Sequence, residues 1–344
     1  MKSYSQLLSF FFAVVLAFGI TQLSHAQDDT RTQAITKYNE AQELASARQF
    51  TDAIEIYREA LELAKEIEDE EIIQNIEERI PRAYSSRASS SYSAFQSERN
   101  LANANQAIED FEASLEAGEE FGNDQVVEQA TRAIPQLYYI RSVVEYRQDD
   151  FEGAMVSLDA ALELNPNYPT AHYQKGVVYK KQNPEDIDGA LEFFDTAIEL
   201  AEQAGDNRTL NNAREGAAEE LIYRANTLKE NDDYSRAIEL LERVEQYDPQ
   251  SADAYYRLAE VNNLQGNWAQ AIEHANQALE FESGGVVEQA KIYFELGMAH
   301  KGEGDTTNAC SAFENADYGD FSDPASHELE FELECEGYTA NGRR

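Results

Sequence analysis

Lysine is the scarcest of the charged residues in this chain. Its 344 residues include 9 lysines and 18 arginines against 66 aspartates and glutamates, giving a formal net charge of −39. This balance excludes nucleic acid as a partner, because binding the phosphate backbone requires a basic surface that releases counterions. So large a charge repels itself at low ionic strength, and salt screens the repulsion. Low lysine beside abundant acid matches the composition of a protein from a salt-loving bacterium; the alternative is an ordinary acidic envelope protein. Cysteine is nearly absent as well. The two present, Cys310 and Cys335, form no CxxC pair, too few for a structural zinc site. With 7 prolines and 17 glycines, no Gly/Ser linker or low-complexity block interrupts the chain, so one continuous domain is expected.

Catalytic signatures are also missing. There is no HExxH, GxSxG, P-loop or GxGxxG, and His172, His274, His300 and His327 are scattered singly with no ligand spacing. Gly284-Gly285 reads as a helix-ending turn. The acidic runs 66–71 and 328–336 lack an EF-hand loop and read as solvated helix faces. Carboxylates are so numerous that choosing a catalytic pair would be arbitrary. An enzyme is not expected, nor any cofactor or metal.

Long apolar runs occur only once. Lys2 is followed by an apolar stretch from Leu7 to Ile20 and by Ser24-His25-Ala26 ahead of Gln27, the layout of an export signal peptide over 1–26. At 14 residues the run is short for a bilayer span, although an uncleaved anchor is the alternative. No cysteine follows it for lipid attachment. The mature chain is expected to be periplasmic or secreted, with no transmembrane segment.

What the chain has in quantity is a repeated alanine pattern. An alanine is followed four residues later by a bulky group and seven later by a small one. The copies are Ala53/Tyr57/Ala60, Ala107/Phe111/Ser114, Ala154/Leu158/Ala161, Ala190/Phe194/Ala197, Ala237/Leu241/Val244, Ala271/Ala275/Ala278 and Ala309/Phe313/Ala316. Offsets of four and seven share one helix face. A small residue there admits a neighbouring helix, and the large one fills the gap beside it. The sixth copy departs from the rule at Ala275.

A second helix precedes each marker. Twelve residues before it lies a small residue (Ala41, Ser142, Ala225, Ala259, Gly297), with Gly176 displaced to fourteen by an insertion over 183–188. Four residues earlier still come Tyr138, Leu221, Tyr255 and Tyr293. Asn165-Pro166-Asn167, Asp248-Pro249 and Gly266-Asn267 supply turn chemistry.

Helix, small-residue contact, helix and proline, best seen in LELNPNYPTAHYQKGVVY and EQYDPQSADAYYRLAEV, resemble the tetratricopeptide repeat family. The resemblance implies an all-α fold: a right-handed α-solenoid of about seven helix-turn-helix units over 27–318, with a C-terminal cap and tail over 319–344. The markers are spaced by 54, 47, 36, 47, 34 and 38 residues, against a family period of about 34. Longer helices or extra turns are therefore expected near 66–87, 121–136 and 204–217. The register of the second copy is contested by a likeness between Ile80-Pro81-x-x-Tyr84-x-x-Arg87 and Ile134-Pro135-x-x-Tyr138-x-x-Arg141.

The family geometry further implies that the first helix of each unit lines a groove. The slot fifteen before each marker holds Tyr38, Tyr92, Tyr139, Ile222, Tyr256 and Phe294, with Tyr173 in the fourth copy. Aromatics are enriched at binding hot spots, although inter-repeat packing would also account for them. Near the ends of the same helices stand Arg147, Lys180, Lys181, Lys229 and Lys301, with Lys291 at the start of the last. A basic, aromatic-lined groove would suit an extended acidic peptide, while helix C-termini favour cations in any case. The basic clamp with which some family members hold chaperone tails is not matched, since Tyr38 and Gln42 occupy its slots.

In an oxidising compartment Cys310 and Cys335 are expected to pair and close the last helices; two reduced thiols are the alternative. After the repeats, Asp323-Pro324 resembles a helix start, whereas Leu329 to Glu336 alternates like a strand. A capping helix with Leu329 and Leu333 on one face is the expectation, since a solenoid needs an end cap. The functional expectation is a non-catalytic protein-binding scaffold of the bacterial envelope. A self-associating structural protein is the alternative, and the identity of a protein or peptide partner is open.

Overall fold

A computed structural model describes residues 27–336. The expected signal peptide and the extreme tail lie outside the described residues. Fifteen α-helices follow one another, and no strand occurs among the described residues. Helix α1 covers 27–46. The next six are α2 Phe50–Glu66, α3 Glu70–Ser97, α4 Leu101–Glu120, α5 Asp124–Arg147, α6 Phe151–Leu164 and α7 Pro169–Gln182. Then come α8 Ile187–Ala204, α9 Asn207–Glu230, α10 Tyr234–Arg243, α11 Ala252–Gln265, α12 Trp268–Phe281, α13 Val286–Glu303, α14 Thr306–Ala316 and α15 Ser322–His327. The described residues form two compact units, 27–174 and 175–336, divided within α7. Inside each unit, helices adjacent in sequence pack as antiparallel hairpins, and first helices of neighbouring hairpins touch (α3 with α5, α11 with α13).

The marker alanines explain this stacking. All seven are fully buried, as are the residues seven further on, apart from a trace of exposure at Ser114. The small slot on the preceding helix is closed to solvent too, at Ala41, Ser142, Gly176, Ala259 and Gly297. Seven hairpins result, pairing α1 with α2 through to α13 with α14, so the fold is an all-α solenoid of helix-turn-helix units. At the exceptional Ala275, the core is completed by Ala259, Ile292 and Leu296.

Hairpin turns repeat one backbone device. Arg48, Asp149, Asp232, Gly266 and Gly304 all adopt positive φ, between 60° and 83°, reversing the chain just before the second helix. After three of these turns the next residue, an aspartate, caps that helix: Asp150 accepts from the Gly153 N–H at 2.9 Å, Asp233 from the Arg236 N–H at 3.4 Å and Asp305 from the Asn308 N–H at 3.1 Å.

The long spacings come from long first helices, α3, α5 and α9, with 28, 24 and 24 residues against 14 in α11. The competing likeness in the second copy is reconciled by length. Helix α3 continues ten residues past Arg87, and α5 six past Arg141. Likewise α4 starts six residues before Ala107, and α6 three before Ala154. Each arm of the second hairpin has thus grown by about one turn, and both readings hold. Arg87 meets Asp110 at 2.8 Å and Arg141 meets Ser157 at 2.9 Å, in both cases the residue three after the marker alanine.

The tail resolves as helical. A 3₁₀ turn Gly319–Phe321 leads into α15 and a π turn Glu328–Glu332. Helix α15 begins at Ser322, one residue before the expected cap Asp323, and Phe321 supplies no side-chain cap. Leu329 is fully buried among Ala309, Phe313, Ala316 and Ala325, while Phe331 faces solvent. Cys310 and Cys335 are joined, with Cα atoms 5.9 Å apart.

Candidate functional site

Residues in the aromatic slot are half-buried: Tyr38, Tyr92, Tyr139, Tyr173, Ile222, Tyr256 and Phe294 each pack inward while keeping some exposed surface. In the first unit, Tyr38 tilts onto Tyr57 at 5.9 Å and accepts a hydrogen bond from Gln42 at 2.8 Å. Tyr139 meets Tyr168 edge-on at 5.6 Å. In the second unit, Phe294 packs on Phe313 and Phe321, each at 5.4 Å. Tyr256 lies under the Lys291 ammonium at 4.9 Å; burial raises its phenol pKa above the usual value, and Glu260 and Glu295 raise it further.

The expected cations do not form a positive stripe. Lys180 pairs with Glu220 at 3.4 Å, Lys229 with Glu260 at 2.7 Å, and Lys301 with Glu328 at 2.5 Å and Glu332 at 3.4 Å. Lys291 reaches Asp253 at 4.0 Å. Arg147 and Lys181 are exposed. The physical reason is the excess of acid: Lys180, Lys229, Lys291 and Lys301 are each met by a carboxylate from another element. Lys180 and Lys181 border a separate hollow of about 380 Å³ with Glu219, Glu220, Tyr223 and Arg224.

Three of the expected residues do converge. Phe294 and Lys301 line a pocket of about 450 Å³ between α11, α12 and α13, and Lys229 pairs with its wall at Glu260. Leu264, Trp268, Phe294 and Met298 form its apolar sides. Trp268 is placed there by the turn: Gly266 (φ 76°) ends α11, and Trp268 opens α12. Its indole lies against Gly302, where a Cβ would stand 2.4 Å from the ring. Any larger residue at 302 would displace the ring.

The polar end consists of Glu260, Asn263 and Glu295. Asn263 Nδ2 donates to the backbone oxygen of Glu295 at 2.9 Å and to its Oε2 at 2.8 Å. Burial pushes the Glu295 carboxyl up to about 7; the Asn263 hydrogen bond draws it back, Glu260 pushes it up further, and Lys229 again lowers it. Two acceptors, Glu260 Oε2 and Asn263 Oδ1, are buried without a hydrogen-bond partner in the protein. A buried acceptor left unmatched costs about 1–3 kcal/mol, so the pocket favours an occupant that brings donors. Among the described residues no cluster of histidine, cysteine and carboxylate has metal-binding geometry.

Glu260, Asn263, Trp268 and Glu295 escaped sequence reasoning. A signal did exist: Lys229 and Glu260 are 31 residues apart, as are Asn226 and Arg257 (2.8 Å), and Asn263 and Glu295 are 32 apart. Complementary polar residues one repeat period apart mark neighbouring first helices.

With this geometry in hand, the chain can be set beside known proteins. Tetratricopeptide-repeat family models match residues 144–183, 224–286 and 290–318, the last two covering the hairpins that build the pocket. These three stretches are tetratricopeptide repeats. Three solved structures are similar at low identity. MamA residues 41 to the end, from Desulfovibrio magneticus RS-1, is 22% identical over 53% of this chain and 92% of that one, with a TM-score of 0.34. YrrB, described as a TPR protein with an unusual peptide-binding site, is 18% identical over 58% and 97%, with a TM-score of 0.36. The P58(IPK) TPR domain is 14% identical over 88% and 97%, with a TM-score of 0.32. No curated protein matches the sequence.

Proposed function

We propose that this protein is a non-catalytic scaffold that holds an extended segment of a partner protein against the first helices of its hairpins, in an exported compartment of the bacterial envelope. The observation that carries the reading is the pocket between α11, α12 and α13. Four large apolar side chains there surround a polar end with two unmatched buried acceptors. Such apolar walls with a few placed polar groups are what a recognition site requires. Among the ten groove residues expected from the repeat, Phe294, Lys301, Lys229 and Tyr256 belong to this region. Lys180 and Lys181 would add contacts on a first helix of the second unit, and Tyr38, Tyr139, Arg147 and Tyr173 on the first helices of the first unit. The Cys310–Cys335 bond and the leader-like start favour an oxidising compartment, and no described helix is long and apolar enough to cross a membrane.

Affinity capture of the mature chain from the native envelope fraction at high salt tests this reading. A partner is expected with the natural sequence and with Val156→Glu, an exposed site on α6, but not with Met298→Glu in the pocket. Recovery of the partner by Met298→Glu would overturn the groove. Recovery of only the protein itself would favour self-association.

A further inference from the structure

The proposed groove leaves open what chemistry it recognises. Lys180, Lys229 and Lys301, foreseen as its positive lining, are already paired with carboxylates, and the unmatched groups of the residues that line the pocket are acceptors. Glu260 Oε1 is taken by Lys229 at 2.7 Å, while its Oε2 has no partner. Asn263 spends its amide N–H on Glu295, while its Oδ1 has no partner. Around the pocket, two lysines (Lys229, Lys301) face four carboxylates (Glu260, Glu295, Glu328, Glu332), so the local surplus is negative. An acidic peptide would meet repulsion.

Resting on the scaffold reading, we propose that this pocket is an arginine-binding subsite: it takes one arginine side chain of an extended partner segment. The planar guanidinium carries five N–H donors in a fixed fork and no acceptor, which suits Glu260 Oε2 and Asn263 Oδ1 together. Its weakly hydrated faces stack on aromatic rings, which Trp268 and Phe294 provide in the wall, and its methylene stem packs on Met298 and Leu264. A lysine ammonium would satisfy one acceptor with less geometric match. A neutral amide chain would leave the carboxylates without a counter-charge.

Trp268 is the only tryptophan in the sequence, so intrinsic fluorescence reads the pocket directly. The probe is a blocked alanine-rich hexapeptide carrying one central arginine, compared with the same peptide bearing citrulline, the neutral isostere, or glutamate. Titration into the full disulfide-bonded chain is expected to shift Trp268 emission with the arginine peptide, with at least tenfold weaker response to citrulline and none to glutamate. Glu260→Gln should reduce the arginine response about tenfold while leaving the citrulline response unchanged, a pattern that a merely misfolded variant would not give. Equal affinity for arginine and citrulline, or no arginine response up to about millimolar concentration, would overturn the subsite. The groove reading fails separately: if Met298→Glu still captures the partner, the groove is wrong; if it loses the partner while the peptides are not discriminated, only the arginine assignment is wrong.

Discussion

Gly297 and Phe313 lie in direct contact across the last hairpin: a Cβ at 297 would stand 2.7 Å from Cε1 of the Phe313 ring. Gly176 meets Phe194 in the same way at 2.8 Å. The two glycines occupy the same slot of two hairpins, and the two rings occupy the slot four after the marker alanine. At these two positions the phenyl ring comes so close to the opposite helix that the facing residue carries no side chain.

This contact gives the first prediction. Replacing a mid-helix glycine with alanine ordinarily gains about 1 kcal/mol of helix propensity. Here the added methyl overpacks a fully buried ring, which costs roughly 1–3 kcal/mol. Gly297→Ala is therefore expected to lower stability or leave it nearly flat, and Gly297→Ala with Phe313→Leu to recover it. Chemical denaturation of the single and double variants measures the coupling. Additive effects would separate the two residues.

The end of the chain should depend on its covalent tie. Cys310 and Cys335 close a loop with a sequence separation of 25, worth roughly 3 kcal/mol in the chain-entropy model. Reduction should loosen α15 and the segment around Leu329 first, since that segment joins the hairpins through one small apolar cluster and the Lys301 ion pairs. Hydrogen exchange with and without reductant is expected to show faster exchange over 319–336 on reduction and little change in α11. Equal protection in both states would contradict this.

Glu295 sets a pH dependence whose sign follows from burial. Its folded pKa is raised from 4.5 to about 7, so between these values the folded state binds more protons than the unfolded one. Stability contributed by the protonated group is full below about pH 4.5 and is lost as pH rises through 7. The helix caps act in the opposite sense: the Arg31 guanidinium holds Asp69, the Thr209 hydroxyl Asp206 and the Asn308 N–H Asp305 below the ordinary value of 3.8, with the backbone N–H groups of Ile72 and Thr209 adding to the first two. Their contribution is present above that value and lost in stronger acid. Thermal melts should peak on the acid side of neutrality, and Glu295→Gln should flatten the decline toward pH 7. A decline unchanged by that substitution would assign it to general charge repulsion.

Lys180, Lys229 and Lys301, expected in the groove, also hold carboxylates of the protein. Charge reversal at Lys229 would set a third carboxylate beside Glu260 and Glu295, and reversal at Lys180 would leave the buried Glu220 with Arg224 alone, at 2.8 Å. Breaking a buried pair from one side commonly costs about 3–5 kcal/mol, and the partial exposure of these lysines reduces that figure. Both reversals are expected to lower the melting temperature by several degrees, while Lys181→Glu, on an exposed residue, should change it little. Equal melting temperatures for all three would show that the pairs contribute nothing.

Salt provides the broadest test. With a net charge of −39, the melting temperature should rise from low to molar salt as repulsion is screened. A flat response would remove the salt-loving reading of the composition.

The hairpins were legible in the sequence because their determinants are local. A marker alanine, the group four residues later and the small slot on the preceding helix all lie within a short stretch of chain, and the periodicity of one helix face writes them in order. Helix extensions were visible as long spacings, though only the structure divided the extra residues between α3 and α4. The pocket was harder to read. Phe294 and Lys301 could be placed on the correct face, but whether a lysine on that face is free depends on Glu260 or Glu328, some thirty residues away on another element. Trp268 was hidden for a different reason: it opens a second helix, outside the first-helix slots, and reaches the pocket only because Gly302 is bare.

The two layers of the molecule therefore answer to different owners. Each contact that shapes a hairpin, such as Gly297 with Phe313, is settled privately within it, whereas Trp268, Asn263 and Glu295 make a pocket only as neighbours. Exchanging two hairpins would leave a sequence still competent to fold and erase what it recognises. In such a chain, new specificity can arise by reordering parts that have not themselves changed.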